Sequence, residues 1–192
     1  MSSTTIDKLV AGCAKGDRKC QQIIYEKFYS KMMGVCLRYA SNKQEAQDLV
    51  HDGFIKVFEK IYKYNYSGSF EGWVRRIMIN TSIDHYRKNK NIFIKENQDF
   101  ANIEGEEPDQ DILSQLRTED IMKAVQSLSP GYRAVFNLYV VEGYSHKEVS
   151  DELGISVGTS KSNLAKAKKN LRQLFIRENK EPNISYNHKS DL

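Results

Sequence analysis

At 192 residues, with 40% hydrophobic and 28% charged side chains, the chain can bury one sizeable core or two small ones and lacks the bias of a disordered polymer. The net charge of +4 is too mild to name a partner. The three cysteines, odd in number and without C-x-x-C spacing, exclude a disulfide scaffold and point to a reducing compartment. No apolar run approaches the ~18 residues of a membrane span, and MSSTTIDKLV lacks the pattern of an export signal, so no membrane insertion and a cytoplasmic location are expected.

In chain order, Ile23, Ile24, Phe28, Met32, Val35, Cys36 and Tyr39 recur at three-four spacing and predict an amphipathic helix. From Ser41 to Ile61, residues Leu49, Phe54, Ile55, Phe58 and Ile61 keep the helical period while Glu45, Asp48, Asp52 and Glu59 mark another face. Two glycines, two serines and an asparagine in YNYSGSFEG, Tyr64 to Gly72, break the period and predict a loop. The next helix should bury Trp73, Ile77, Tyr86 and the aliphatic neighbours of Asn80, and it ends in Arg87-Lys88-Asn89-Lys90. Acids, Gly105 and Pro108 without apolar periodicity make residues 97–111 an exposed linker.

Beyond the linker, Ile112, Leu116, Ile121, Val125 and Leu128 predict one helix. Ser129 as cap, Pro130 at the first position and Gly143 as stop bound another, whose apolar face is Val135, Leu138 and Tyr139. Ser145 and Glu148 have the S-x-x-E spacing of a capping box opening a helix with Val149 and Leu153 inward, and Gly154 is placed to end it at positive φ. Ser156 can then cap a helix with Val157, Ser160, Leu164, Ala167, Leu171 and Leu174 as its inner stripe. Two helices joined by a tight turn form a helix-turn-helix. The fold class is therefore all-α, with two small helical domains over residues 1–96 and 112–178, the acidic linker 97–111 between them and a tail over 179–192.

Charge distribution says more than net charge. From Val157 to Arg177 six basic residues face no acid, and from Arg75 to Lys95 six stand against Asp84 alone. A polyanion can touch both patches. With the inner stripe of the last helix packed, Thr159, Lys161, Ser162, Asn163, Lys166 and Lys169 point outward: small polar groups at the front, which can enter a major groove, and lysines behind, which can meet phosphates. Asn163 can pair with adenine; Lys161 can read guanine or hold a phosphate. An exposed basic helix of an ordinary bundle is the bland alternative. In the first half, Tyr62, Tyr64, Tyr66, Phe70 and Trp73 lie beside Arg75, Arg76, Arg87 and Lys88, and aromatics next to cations suit unstacked bases. His51-Asp52 and Asp84-His85 lack the surrounding ligand spacing of a metal site, so neither metal, cofactor nor catalytic group is expected.

DLVHDGFIKVFEKI, FEGWVRRIMINTSIDHYRK, LSPGYRAVFNLYVVEGYS and SHKEVSDELGISVGTSKSNLAKAKKNLR occur in that order. Together they resemble sigma-70 family RNA polymerase sigma factors, in the short two-domain form of the extracytoplasmic-function group. The resemblance implies that residues 1–96 form region 2 and residues 112–178 region 4. It makes Asp48, Asp52, Ile55 and Phe58 candidates for contact with core RNA polymerase. It places Tyr64, Tyr66, Ser67, Phe70, Arg75, Arg76, Asn80, Asp84, Arg87 and Lys88 toward the minus-ten promoter element, and Thr159, Lys161, Ser162, Asn163, Lys166 and Lys169 toward the minus-thirty-five element. The implied function is non-catalytic promoter recognition and melting, with promoter DNA and core polymerase as partners and an anti-sigma factor as a third that many members have. Ser160, usually aliphatic in the family, and Asn163, often basic, depart from the pattern. The other reading, from a different class, is a stand-alone helix-turn-helix regulator.

Overall fold

The computed structural model describes residues 3–96 and 118–178, and every regular element in them is helical. The linker, the predicted helical positions Ile112 and Leu116, and the tail after Glu178 lie outside the described residues. No helix among the described residues is long and apolar enough to cross a membrane.

Four helices build the first half: α1 (Ser3–Ala14), α2 (Arg18–Leu37), α3 (Lys43–Lys60) and α4 (Phe70–Glu96), with a 3₁₀ turn over Ile61–Lys63 after α3. Helix α1 was not anticipated, although Ile6, Leu9, Val10 and Cys13 carry the spacing of an inward stripe, and Val10 and Cys13 are buried. Asp17 starts α2 by accepting the backbone N–H groups of Lys19 and Cys20, and Asn42 starts α3 by accepting that of Glu45. Ile24, Phe28, Met32, Val35 and Cys36 of α2 are buried, each large one contributing about 1.5–3 kcal/mol relative to exposure, whereas Ile23 faces out.

The core face of α4 agrees with expectation at Ile79, beside Asn80, and differs at Trp73, Ile77 and Tyr86. Phe70, Val74, Met78, Ile79, Thr81, Ser82 and Ile83 are buried, and the other three expected residues are only partly covered. A stripe containing two hydroxyl residues is hard to see by hydropathy. Ser82 is tolerated because its hydroxyl donates to the Met78 carbonyl at 2.9 Å. Gly53 lets α3 and α4 cross closely, since a β-carbon there would collide with the Met78 thioether. Burial raises the thiols of Cys13 and Cys36 to about 11 and about 12, as befits inert core cysteines.

The second half is α5 (Thr118–Ser127), α6 (Pro130–Phe136, extended by a π-helical turn over Asn137–Val141), α7 (His146–Leu153) and α8 (Val157–Glu178). Ser129 occupies the cap position of α6 without a side-chain capping bond, and Pro130 sits in the first turn. The capping box of α7 is complete, with Ser145 N–H donating to Glu148 Oε2 at 2.8 Å and Glu148 N–H to Ser145 Oγ at 3.3 Å. Gly154 ends α7 at φ 61°, and Ser156 Oγ accepts the Thr159 N–H at 2.9 Å to start α8. The inner stripe of α8 is Ser160, Leu164, Ala167, Leu171 and Phe175; Val157 is exposed and Leu174 only partly covered, which corrects both ends of the expected stripe.

Candidate nucleic-acid interface

On α3, Asp48, Asp52 and Ile55 are exposed along one face, Ile55 at 57%, and half-buried Phe58 follows one turn later against Phe54.

The loop after α3 is built rather than slack. Tyr64 donates its hydroxyl to the Gly68 carbonyl at 2.5 Å, and Asn65 Oδ1 accepts from the Ser67 N–H and hydroxyl at 3.1 and 2.7 Å. Burial, then Asp7 and Tyr66, push the Tyr64 phenol up, keeping that donor protonated. Tyr66 adopts φ 61°, costly for an aromatic residue, and turns an exposed ring outward 4.9 Å from that of Tyr64. Phe70 is 4% exposed and edge-on to Phe28, so it belongs to the core and offers no face to a base in this conformation; Trp73, expected as core, is partly buried at the core's edge against the Tyr64 and Phe70 rings.

Arg76, Asn80, Asp84 and Arg87 follow at helical spacing along α4, with Lys88 exposed beside them. Asp84 lies 3.1 Å from Lys56 Nζ and 3.5 Å from Arg87 Nη1. Arg75 and Arg87 are occupied by the second half: Arg75 forks onto both carboxylate oxygens of Glu142 at 2.5 and 2.8 Å, and Arg87 Nη2 meets Glu152 Oε2 at 3.0 Å. Glu142, with Arg38 at 3.7 Å on its other side, was not among the sequence candidates. Its position follows from the π-helical turn, closed by the Glu142 N–H on the Asn137 carbonyl at 2.9 Å, which periodicity cannot anticipate.

On α8, Lys161 and Ser162 are exposed, and Thr159 is exposed but shares a 2.9 Å hydrogen bond with the capping Ser156. Lys166 and Lys169 are half-covered along their stems. Asn163 is also half-covered: it stands over the start of α6, where a β-carbon on Gly131 would lie 3.7 Å from its amide nitrogen. Arg172, exposed one turn beyond Lys169, extends the basic face and was readable from its spacing. Behind this face, fully buried Ser160 bonds its hydroxyl to His146 Nδ1 at 2.9 Å, and the His146 ring stacks on Tyr139 with centroids 4.3 Å apart. Burial, then Lys161 and Lys168, hold the His146 pKa below its usual 6.5.

The family model for Sigma-70 region 2 matches residues 24–92, and that for Sigma-70 region 4 matches residues 118–171. The chain belongs to the extracytoplasmic-function group of the sigma-70 family. This sigma factor is 31% identical over 147 residues to the ECF RNA polymerase sigma factor SigE of Mycolicibacterium smegmatis, covering 75% of this chain and 57% of that protein. It is 26% identical to the ECF RNA polymerase sigma factor SigW of Bacillus subtilis, covering 88% and 95% respectively. Among solved structures, it is similar to the sigma factor RpoE in complex with the anti-sigma factor NepR from Bartonella quintana, at 22% identity and a TM-score of 0.47, with 81% of this chain and 96% of that one covered. The α4 face of the sigma factor lies within its region 2, and the α7–α8 helix-turn-helix within its region 4.

Proposed function

We propose that the chain is a cytoplasmic, non-catalytic promoter-specificity subunit that binds core RNA polymerase, directs it to promoters through minus-ten and minus-thirty-five elements, and assists melting. The observation that carries this reading is the presence, in one chain and in order, of a region 2 match over residues 24–92 and a region 4 match over residues 118–171. Residues 1–96 would form the unit for polymerase and the minus-ten element, and 112–178 the unit for the minus-thirty-five element. Asp48, Asp52, Ile55 and Phe58 would engage the polymerase.

At the minus-ten element, Tyr66 has an exposed ring held by a pinned loop beside Tyr64. Stacking there is worth about 1–3 kcal/mol, of the order needed to offset base extrusion. Ser67, Arg75, Arg76, Asn80, Asp84, Arg87 and Lys88 would hold the strand, and Phe70 would support the loop from below. Thr159, Lys161, Ser162, Asn163, Lys166 and Lys169 would face the major groove and its phosphates, with Lys161 toward a base or a phosphate. An anti-sigma factor is a further partner, since solved structures similar to this chain are sigma factors held by such proteins.

Run-off transcription with purified core polymerase, on promoters selected by the reconstituted holoenzyme, tests the proposal. Transcripts that require the added chain are expected. Transcripts independent of it, or tight sequence-specific binding to duplex DNA without polymerase, would overturn it in favour of a stand-alone regulator.

A further inference from the structure

The leading end of α8 is anchored differently from the rest of that helix. From Leu164 onward its inner stripe is apolar, through Ala167, Leu171 and Phe175, and apolar burial is a strong but non-directional hold. In the leading turn Val157, Gly158 and Thr159 are all exposed, and the first buried side chain is Ser160, with no accessible surface. A serine buries too little apolar area to hold a helix end by itself. What it supplies is direction. Its hydroxyl lies 2.9 Å from His146 Nδ1, in a hydrogen bond that weakens steeply when donor and acceptor turn out of line.

His146 is itself held from two sides. It is the first residue of α7, directly after the capping Ser145, whose reciprocal bonds with Glu148 fix where that helix begins. Its ring stacks on that of Tyr139, with centroids 4.3 Å apart and an interplanar angle of 25°, and Tyr139 belongs to the π-helical turn that extends α6. A chain of contacts therefore runs from that turn through the imidazole to Ser160. Ser160 stands between Thr159 and Lys161, so any rotation that turns it away from His146 swings the outward groups of the same turn through the same angle. A rotation of about 15° moves a tip about 6 Å from the helix axis by about 1.5 Å, enough to break a hydrogen bond to a base edge. Resting on the assignment of α8 to the minus-thirty-five element, we propose that His146 and Ser160 are positioning residues for promoter recognition. Acting through the bond between them rather than by touching DNA, they fix the rotation of the leading turn of α8, so that Thr159, Lys161, Ser162 and Asn163 meet base edges in register. Lys166 and Lys169 lie farther along, where the apolar stripe holds the helix, so phosphate affinity does not depend on this bond.

The test uses holoenzyme reconstituted with the full chain and a promoter selected by the parent. Competition binding compares that promoter with versions carrying one substituted base pair in the minus-thirty-five element or one in the minus-ten element. His146→Phe keeps a ring against Tyr139 and removes the hydrogen bond; Ser160→Ala removes it from the other side. Each should lower minus-thirty-five discrimination about fivefold, as when one base contact is weakened, with minus-ten discrimination and the salt slope unchanged. The double variant should lose no more than either single one, because both delete the same bond. His146→Asn, whose amide can stand where Nδ1 stood, should restore part of the discrimination. If His146→Phe loses helical circular dichroism, Ser160→Ala, which removes a single oxygen, carries the comparison alone. Discrimination at the parent's value with a lower thermal midpoint would make the pair purely structural and overturn the proposal, as would additive losses in the double variant. Run-off transcription by the parent decides the sigma-factor reading separately: a parent that drives none removes that reading, whereas an active parent whose variants discriminate as it does overturns this proposal alone.

Discussion

Ser160 has no accessible surface, and its hydroxyl shares a hydrogen bond with His146 Nδ1 across the two helices of the helix-turn-helix. The family resemblance leads one to expect an aliphatic side chain here, and the structure supplies the reason that a hydroxyl is tolerated. Its partner arrives from the first residue of α7, held flat by the Tyr139 ring. Ser160→Ala leaves that imidazole nitrogen without its partner and should cost about 1 kcal/mol, read as a lower thermal midpoint. Acid should act on the same joint. The folded-state pKa of His146 is depressed, first by burial and then by Lys161 and Lys168, so the unfolded chain binds the proton more readily. This contribution to stability is fully present above about pH 6.5 and is lost as pH falls toward the depressed value. A comparison of the parent with His146→Gln in thermal melts from about pH 8 to about pH 5 checks the sign: the parent's advantage should shrink toward the acid end. An advantage that grows in acid would contradict the assignment.

At the scale of elements, α8 was well described by its period, yet its flanks were not. Alternation of small polar and basic residues locates an outer face, but only packing shows that Asn163 leans over the start of α6 while Ser162 and Arg172 face solvent. Lys166→Ala should therefore weaken holoenzyme binding across promoters and lower the salt slope by about one, whereas Asn163→Ala should change preference at a single base pair. Binding-site selection at two salt concentrations separates the two outcomes, and equal effects on all sites would refute the division of roles. Helix α4 shows the opposite failure. Its large residues Trp73 and Ile77 suggested the inner stripe, but the buried face runs through Val74, Met78, Thr81 and Ile83 and admits Ser82 by a bond to its own helix. The Thr81 hydroxyl, by contrast, is buried without a hydrogen-bond partner among the described residues. Helix α1 was legible in principle from Ile6, Leu9, Val10 and Cys13, a short stripe that closes against α2 and the 3₁₀ turn after α3.

For the whole molecule, the decisive residue is Arg133. It lies in a stretch readable only as a helix with an apolar face, yet it is 3% exposed and ties both halves together. Burial lowers its pKa, and its four hydrogen bonds to carbonyls and a hydroxyl keep the charge tolerable. Arg133→Ala should destabilise the protein by about 3 kcal/mol, because it strands buried carbonyls at the end of α2 and around α5. Chemical denaturation followed by helical circular dichroism measures this. Loss of less than about 0.5 kcal/mol would mean that water replaces the guanidinium without penalty.

The sequence by itself determined the helical class, the two basic patches, the capping box at Ser145 and the turn at Gly154, because each depends on neighbours within a few positions. It also located the stretches that the proposed nucleic-acid contacts would use, since charge and small polar residues are composition read in register. Only the tertiary structure decided that Phe70 lies deeper in the core than Trp73, that Ser160 answers His146, and that Arg75 and Arg87 already hold carboxylates. Those outcomes join residues far apart in the chain, and the π-helical turn that directs Glu142 onto Arg75 leaves no trace in hydropathy.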